Sequence, residues 1–172
     1  MGTTIFMGSW SSILAIITVT ILVEFCFFTS AQTTGSEYLD PHNAARATVG
    51  VPPLSWSSDL ADYALAYAQT QASQCLPLTH SHGQYGENLF WGSAKDPEWT
   101  ALDAVTAWTD EVAYYDYATN SCTPGQMCGH YTQVVWNTTT QVGCAHVKCN
   151  DDADYIICSY DPPGNWIGEL PY

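Results

Sequence analysis

Six cysteines available for pairing constrain this 172-residue chain more than any other feature. There are seven in all, but Cys26 falls within an N-terminal stretch that has the anatomy of a secretory signal, which leaves Cys75, Cys122, Cys128, Cys144, Cys149 and Cys158. An even number in an exported chain implies three disulfides, because the secretory route is oxidising and each bridge stabilises by about 2–4 kcal/mol through restriction of the unfolded chain. The alternative use, zinc ligation, finds no C-x-x-C pair to start from. Spacing alone leaves the pairing open.

The signal is read from Ile13 to Val23, an apolar run of h-region length, followed by the small residues Thr29, Ser30 and Ala31 before Gln32. Cleavage after Ala31 is expected, giving a signal over 1–31 and one domain over 32–172. Two features depart from the usual pattern and keep an uncleaved anchor as the rival reading: the n-region has no Lys or Arg, and Glu24 closes the apolar run. No later stretch approaches the roughly 18 apolar residues of a membrane span. The expected product is a secreted monomer, extracellular and without stable membrane insertion.

Charge narrows the partners. Three Lys or Arg stand against 17 Asp or Glu, and the formal net charge of -14 repels phosphate backbones, so nucleic acid is excluded as a partner. The same field opposes anionic lipid headgroups but not a neutral sterol entering an apolar groove. With 47% hydrophobic residues, the chain has material for one core.

Hydrophobic spacing predicts three helices: Tyr38 to Val49, a second from Ser57 or Ser58 to about Cys75, and a third from Asp96-Pro97 to about Val112. The last third changes period, and the segments Tyr131 to Trp136, Val142 to Val147 and Tyr155 to Tyr160 read as strands. Helices first and strands later predict an α+β layered domain with an antiparallel sheet covered by helices.

Two strings are more specific. "GHYTQVVWNTT" (Gly129 to Thr139) and "YIICSYDPPGNW" (Tyr155 to Trp166) strongly resemble signatures of the CAP superfamily, which comprises cysteine-rich secretory proteins, antigen 5 and pathogenesis-related 1 proteins. "HSHGQYGENLF" (His80 to Phe90) and "YLDPHNAAR" (Tyr38 to Arg46) are similar to the plant branch. The resemblance covers essentially all of residues 32–172. It implies a three-layer α-β-α sandwich, the pairs Cys75 with Cys149, Cys122 with Cys128 and Cys144 with Cys158, and an apoplastic defence protein directed at microbial surfaces.

The resemblance also implies a cleft where two histidines and two glutamates converge: His82, Glu87, Glu111 and His130. Imidazoles and carboxylates are suitable zinc ligands, so a zinc site is one reading of this set, a structural polar network a second, and a metal-assisted hydrolase a third. Against the third, the chain has no H-E-x-x-H helix, G-x-S-x-G elbow or P-loop, and the protein is expected not to be an enzyme. Among the other histidines, His42 is expected to be a buried hydrogen-bonding residue, while His80 and His146 are read as surface. Asn88 and Gln133 are expected to orient the loop around the tetrad.

Three further expectations concern the second half of the chain. Tyr114, Tyr115 and Tyr117 lie in an aromatic connection that, by resemblance, holds sterol or another small lipid, for which a tyrosine's apolar ring and single hydroxyl are suited. The tail "PPGNWIGELPY" (Pro162 to Tyr172) resembles a releasable defence peptide, although the preceding stretch reads Cys158-Ser159-Tyr160-Asp161, with serine in place of the family's asparagine. Asn137-Thr138-Thr139 is an N-glycosylation sequon.

Overall fold

The structure is a computed structural model that describes residues 1–2 and 35–172. The expected signal, apart from its first two residues, falls outside the described residues. Contacts divide the chain between residues 32 and 33, and residues 35–172 lie in the second unit.

Helix α1, Ser36–Thr48, buries Tyr38, His42 and Arg46, three residues at four-residue steps on one face. Asn43 fixes the chain that leaves it, its Nδ2 donating to Leu54 O and its Oδ1 accepting from Leu54 N. Helix α2, Ser58–Gln71, is capped by Ser57, whose hydroxyl accepts from Leu60 N, and it buries Leu60, Ala64 and Ala68. The small alanines let it lie close on the sheet. Helix α3 begins later than expected, at Ala101–Asp110, because Thr100 and Asp103 form a reciprocal capping box; Asp96-Pro97 lies in the loop before it.

One sheet holds four strands in the order β1 (Ser55–Trp56), β5 (Gln141–Lys148), β6 (Asp154–Asp161) and β2 (Gly86–Gly92). The β5–β6 and β6–β2 ladders are antiparallel, but the two-residue β1 pairs parallel with β5, so the sheet is mixed at that edge. Strand β6 is central and buried on both faces, with successive side chains going to opposite layers. Ile156, Cys158 and Tyr160 join a core with Val105 and Trp108 of α3 and with Tyr131 and Val134, whereas Tyr155 and Ile157 join Ala64 and Ala68 of α2. The layers are therefore α2, the sheet, and the remaining helices: an α-β-α sandwich. Gly143 is required where α2 begins, since a Cβ there would lie 2.2 Å from Ala61 N.

One expected strand is a helix. Gly129–Val134 forms α4, and Tyr131, Thr132, Gln133 and Val134 are all buried. A helix surrounded by protein loses the polar face that would reveal its period, so Thr and Val read as strand. Conversely, β2 carries the "GENLFWG" segment, to which periodicity assigned no element. The second, two-stranded sheet joins β3 (Tyr115–Asp116) to β4 (Ser121–Cys122), after a 3-10 turn over Glu111–Tyr114. The bridges are Cys75–Cys149, Cys122–Cys128 and Cys144–Cys158, the last joining directly paired residues of β5 and β6.

Candidate functional site

The segments carrying the expected tetrad meet around the start of β2. Glu87, the second residue of that strand, turns a carboxylate into the protein; its Oε2 accepts from Ser81 N at 2.8 Å and lies 3.2 Å from His80 Nδ1. Burial pushes its carboxyl up, but the hydrogen bonds from His80 and Ser81 outweigh this and leave it below the usual carboxylate range. Its Oε1 is buried without a hydrogen-bond partner among the described residues. A cleft of about 240 Å³ runs past Glu87, lined by His80, His82, Tyr85, Gln133 and Asn165.

The imidazole paired with Glu87 is that of His80, not His82. His82 is exposed, has φ 56°, and lines the cleft without a hydrogen bond to any described residue. Two histidines in one short loop offered no sequence signal to choose between them; the turn of the backbone at His82 decides.

Glu111 and His130 form a second pair. Glu111 follows α3, and its Oε2 accepts from His130 N at 2.9 Å and Tyr131 N at 3.3 Å, so the carboxylate covers the free N–H groups that open α4. Its Oε1 lies 2.7 Å from His130 Nδ1. The His130 ring stacks on Trp108 with centroids 6.4 Å apart. Among the described residues, no three His, Cys, Asp or Glu side chains converge to hold a metal ion.

Polar side chains connect these parts. His42 Nδ1 donates to Tyr38 O at 2.8 Å, which fixes the tautomer, and its Nε2 accepts from the Tyr160 hydroxyl at 2.8 Å. Burial lowers the His42 pKa to about 4, keeping the ring neutral, and burial holds Tyr160 well above its ordinary value. Asn88 Nδ2 donates to both the Tyr160 hydroxyl and His130 O at 3.1 Å. The chain from α1 through β6 and β2 thus ends on the backbone of α4. Gln133 links the other side, its Oε1 accepting from Gly164 N at 2.9 Å, and Gly86 leaves room for it, since a Cβ there would lie 2.3 Å from Oε1.

Two groups that sequence reasoning missed hold the frame. Arg46 is fully buried and donates to four carbonyls: Pro52, Val134, Trp136 and Thr139, at 2.7, 2.9, 2.8 and 3.0 Å. His146, expected at the surface, is half-buried, with Nε2 2.6 Å from the carboxylate of Asp154. That buried carboxylate also accepts from Lys148 at 2.7 Å. Burial raises the Asp154 carboxyl, but the hydrogen bonds from Lys148 and His146 bring it below its ordinary value.

The three tyrosines occupy different surroundings. Tyr115 hydroxyl donates to Asn120 Oδ1 at 2.8 Å and its ring packs on Tyr131. Tyr117 stacks on Tyr172 with centroids 4.8 Å apart, and its hydroxyl donates to Tyr172 O. Tyr114 is exposed and does not line the neighbouring cleft. That cleft, about 310 Å³, lies between the β3–β4 hairpin and the tail, with Tyr115, Asn120, Trp136, Trp166, Ile167 and Pro171 in its walls. Among the described residues, no helix is long and apolar enough to cross a membrane.

The cysteine-rich secretory protein family, CAP, matches residues 39–160. Pathogenesis-related protein 1A of Nicotiana tabacum is 50% identical over 161 residues, covering 94% of each chain. Pathogenesis-related protein PRMS of Zea mays is 52% identical over 143 residues, covering 83% of this chain and 84% of its own. Among solved structures, Schistosoma mansoni venom allergen-like protein 4 aligns with a TM-score of 0.60 at 27% identity, covering 78% of this chain and 90% of the other. The structure described as NaASP2 with Zn2+ aligns with a TM-score of 0.63 at 24% identity, covering 81% and 84%. Sandwich, bridges, motifs and these likenesses agree: the chain belongs to the cysteine-rich secretory protein family, on the branch of the plant pathogenesis-related 1 proteins.

Proposed function

We propose that this protein acts in plant defence, in the apoplast, by binding a sterol or another small neutral lipid rather than by turning over a substrate. One observation carries the reading: the cleft of about 310 Å³ between the tyrosine hairpin and the tail is lined by the aromatic residues Tyr115, Trp136 and Trp166, with Asn120 among its polar neighbours. Flat apolar walls with a few polar groups suit a ligand that is mostly hydrocarbon with a single hydroxyl. The volume lies near the lower end of the roughly 300–1,000 Å³ range of small-molecule sites, so it fits one end of a sterol. Of the tyrosines 114, 115 and 117, Tyr115 is the one placed to line it. Titration with a fluorescent sterol should give saturable binding that weakens at least tenfold, about 1.4 kcal/mol, in Tyr115→Ala and Trp166→Ala. No saturable binding by the parent protein, or unchanged binding in both variants, would overturn the reading.

In this reading the tetrad orders the walls of the neighbouring cleft. Zinc at His82, Glu87, Glu111 and His130 is a proposal that rests on the family resemblance. The donor set does not fit a closed four-ligand site: His80 holds Glu87, His130 holds Glu111, and His82 is an exposed residue at the cleft wall. No step is therefore routed through a metal. A metal-assisted hydrolase, the rival, would require turnover that disappears in Glu87→Gln.

Release of Pro162–Tyr172 as a signalling peptide is a second activity we propose on the same family grounds. The tail is packed rather than loose: Asn120 Nδ2 donates to Glu169 O at 2.8 Å, Asn137 N donates to Pro171 O at 2.7 Å, and Pro171 is buried. Release therefore begins from a docked segment.

A further inference from the structure

We propose that Asn137 carries an N-linked oligosaccharide, and that it is attached before α4 and the tail have packed together. Asn137 stands immediately beyond Trp136, after the end of α4, with its side chain exposed and making no hydrogen bond among the described residues. Its backbone is fixed, the N–H donating to Pro171 O. A bulky, hydrophilic group on Nδ2 would project into solvent without displacing any core residue. Asn137-Thr138-Thr139 is the one N-x-[ST] sequence in the chain, so no second acceptor competes.

The third residue of the sequon sets the order of events. Transfer requires the enzyme to read the Thr139 hydroxyl, but Thr139 is 1% exposed in the folded protein. Its Oγ1 donates to Pro162 O at 2.8 Å and accepts from Gln133 Nε2 at 3.3 Å, and its carbonyl accepts from Arg46 Nη2. The folded chain therefore presents the acceptor amide and hides the recognition hydroxyl. The same hydroxyl is first an enzyme's handle and then a tie between α4 and the start of the tail.

The reaction requires a polyprenyl-pyrophosphate-linked oligosaccharide as donor. Asn137 Nδ2 forms a bond to C1 of the first sugar and loses one proton to an enzyme base. The C1–O bond to the pyrophosphate breaks, and polyprenyl pyrophosphate leaves with the bonding electrons. No oxidant or reductant takes part. Once the chain folds, the sugar stands beside Pro171, at the docked end of the tail.

Translation of the full chain in the presence of endoplasmic-reticulum membranes should yield a product one glycan heavier, reversed by peptide-N-glycosidase and absent in Asn137→Gln. In a second arm, non-glycosylated chain is offered to detergent-solubilised membranes and lipid-linked donor, either oxidised and folded or reduced and unfolded. The unfolded chain should shift and the folded chain should not. A bare Asn137 in the translated product, a shift that survives Asn137→Gln, or equal acceptance by both forms would overturn the proposal. Since Asn137 has an exposed side chain, the Gln variant should fold, and its circular dichroism and bridge content serve as the control.

Discussion

At the scale of single residues, the most consequential groups are buried and polar. Among the described residues Arg46 has no carboxylate partner; it is held by four carbonyls that approach the guanidinium from the α1 exit, the end of α4 and the loop beyond it. Burial lowers its pKa to about 10, so it stays charged at neutral pH. A guanidinium carries five N–H donors in a fixed fork, enough for all four carbonyls, whereas an ammonium carries three at a single nitrogen. Arg46→Lys should therefore leave carbonyls unserved and cost about 3 kcal/mol in denaturant unfolding. A change below about 0.5 kcal/mol would mean the carbonyls are satisfied some other way.

His42 gives a pH dependence of definite sign. Its folded pKa is about 4 against an ordinary value of 6.5, so between these limits the unfolded chain binds a proton that the folded chain refuses. Stability is complete above pH 6.5 and declines as pH falls toward 4, by roughly 3 kcal/mol from this residue. Unfolding curves of His42→Gln, which keeps an acceptor and a donor but does not titrate, should be flatter over that window. Equal slopes would show that His42 is not held neutral. The sequence indicated that His42, in the first helix, would be a buried hydrogen-bonding residue, but it assigned no such role to Arg46 in the same row. Periodicity reports which residues share a face; it does not report whether carbonyls wait on the other side.

At the scale of elements, capping chemistry was legible and exposure patterns were not always so. Ser57 marks the start of α2 because its hydroxyl meets Leu60 N. Asp96-Pro97 mimics the start of a helix, yet Thr100 and Asp103 satisfy two N-terminal donors at once and set the start four residues later. The α4 segment misled for a different reason, since burial on all sides removes the amphipathic signal. Strand β6 carries a consequence for the tail. The stretch Cys158 to Asp161 pairs with β5 on one side, and up to Tyr160 with β2 on the other, so a protease acting after Asp161 meets backbone already in ladders. Limited proteolysis should release 162–172 from reduced, opened chain and leave the oxidised chain intact at that bond. Cleavage at equal rates would mean that β6 frays at its end.

At the scale of the whole molecule, the layered class was legible because the three longer helices precede β5 and β6, although β2 lies between α2 and α3 and α4 precedes β5, and the family resemblance supplied the sandwich. The arrangement of the candidate site was not legible to the same degree, since it depends on how loops turn at His82 and on which face α4 presents. The bridges act at this scale too, because the chain lengths they close differ widely: 74 residues for Cys75–Cys149, 14 for Cys144–Cys158 and 6 for Cys122–Cys128. If their effect lies mainly in restricting the unfolded chain, paired replacement by alanine should cost about 4.5, 3 and 2.2 kcal/mol respectively. Denaturant unfolding of the three double variants measures this directly. The long bridge ties the exit of α2 to the exit of β5, so its loss frees one outer layer from the sheet, while the short one lies within the tyrosine hairpin region. A ranking led by Cys122–Cys128 would show that the hairpin and docked tail, not the sandwich, dominate the cooperative unit.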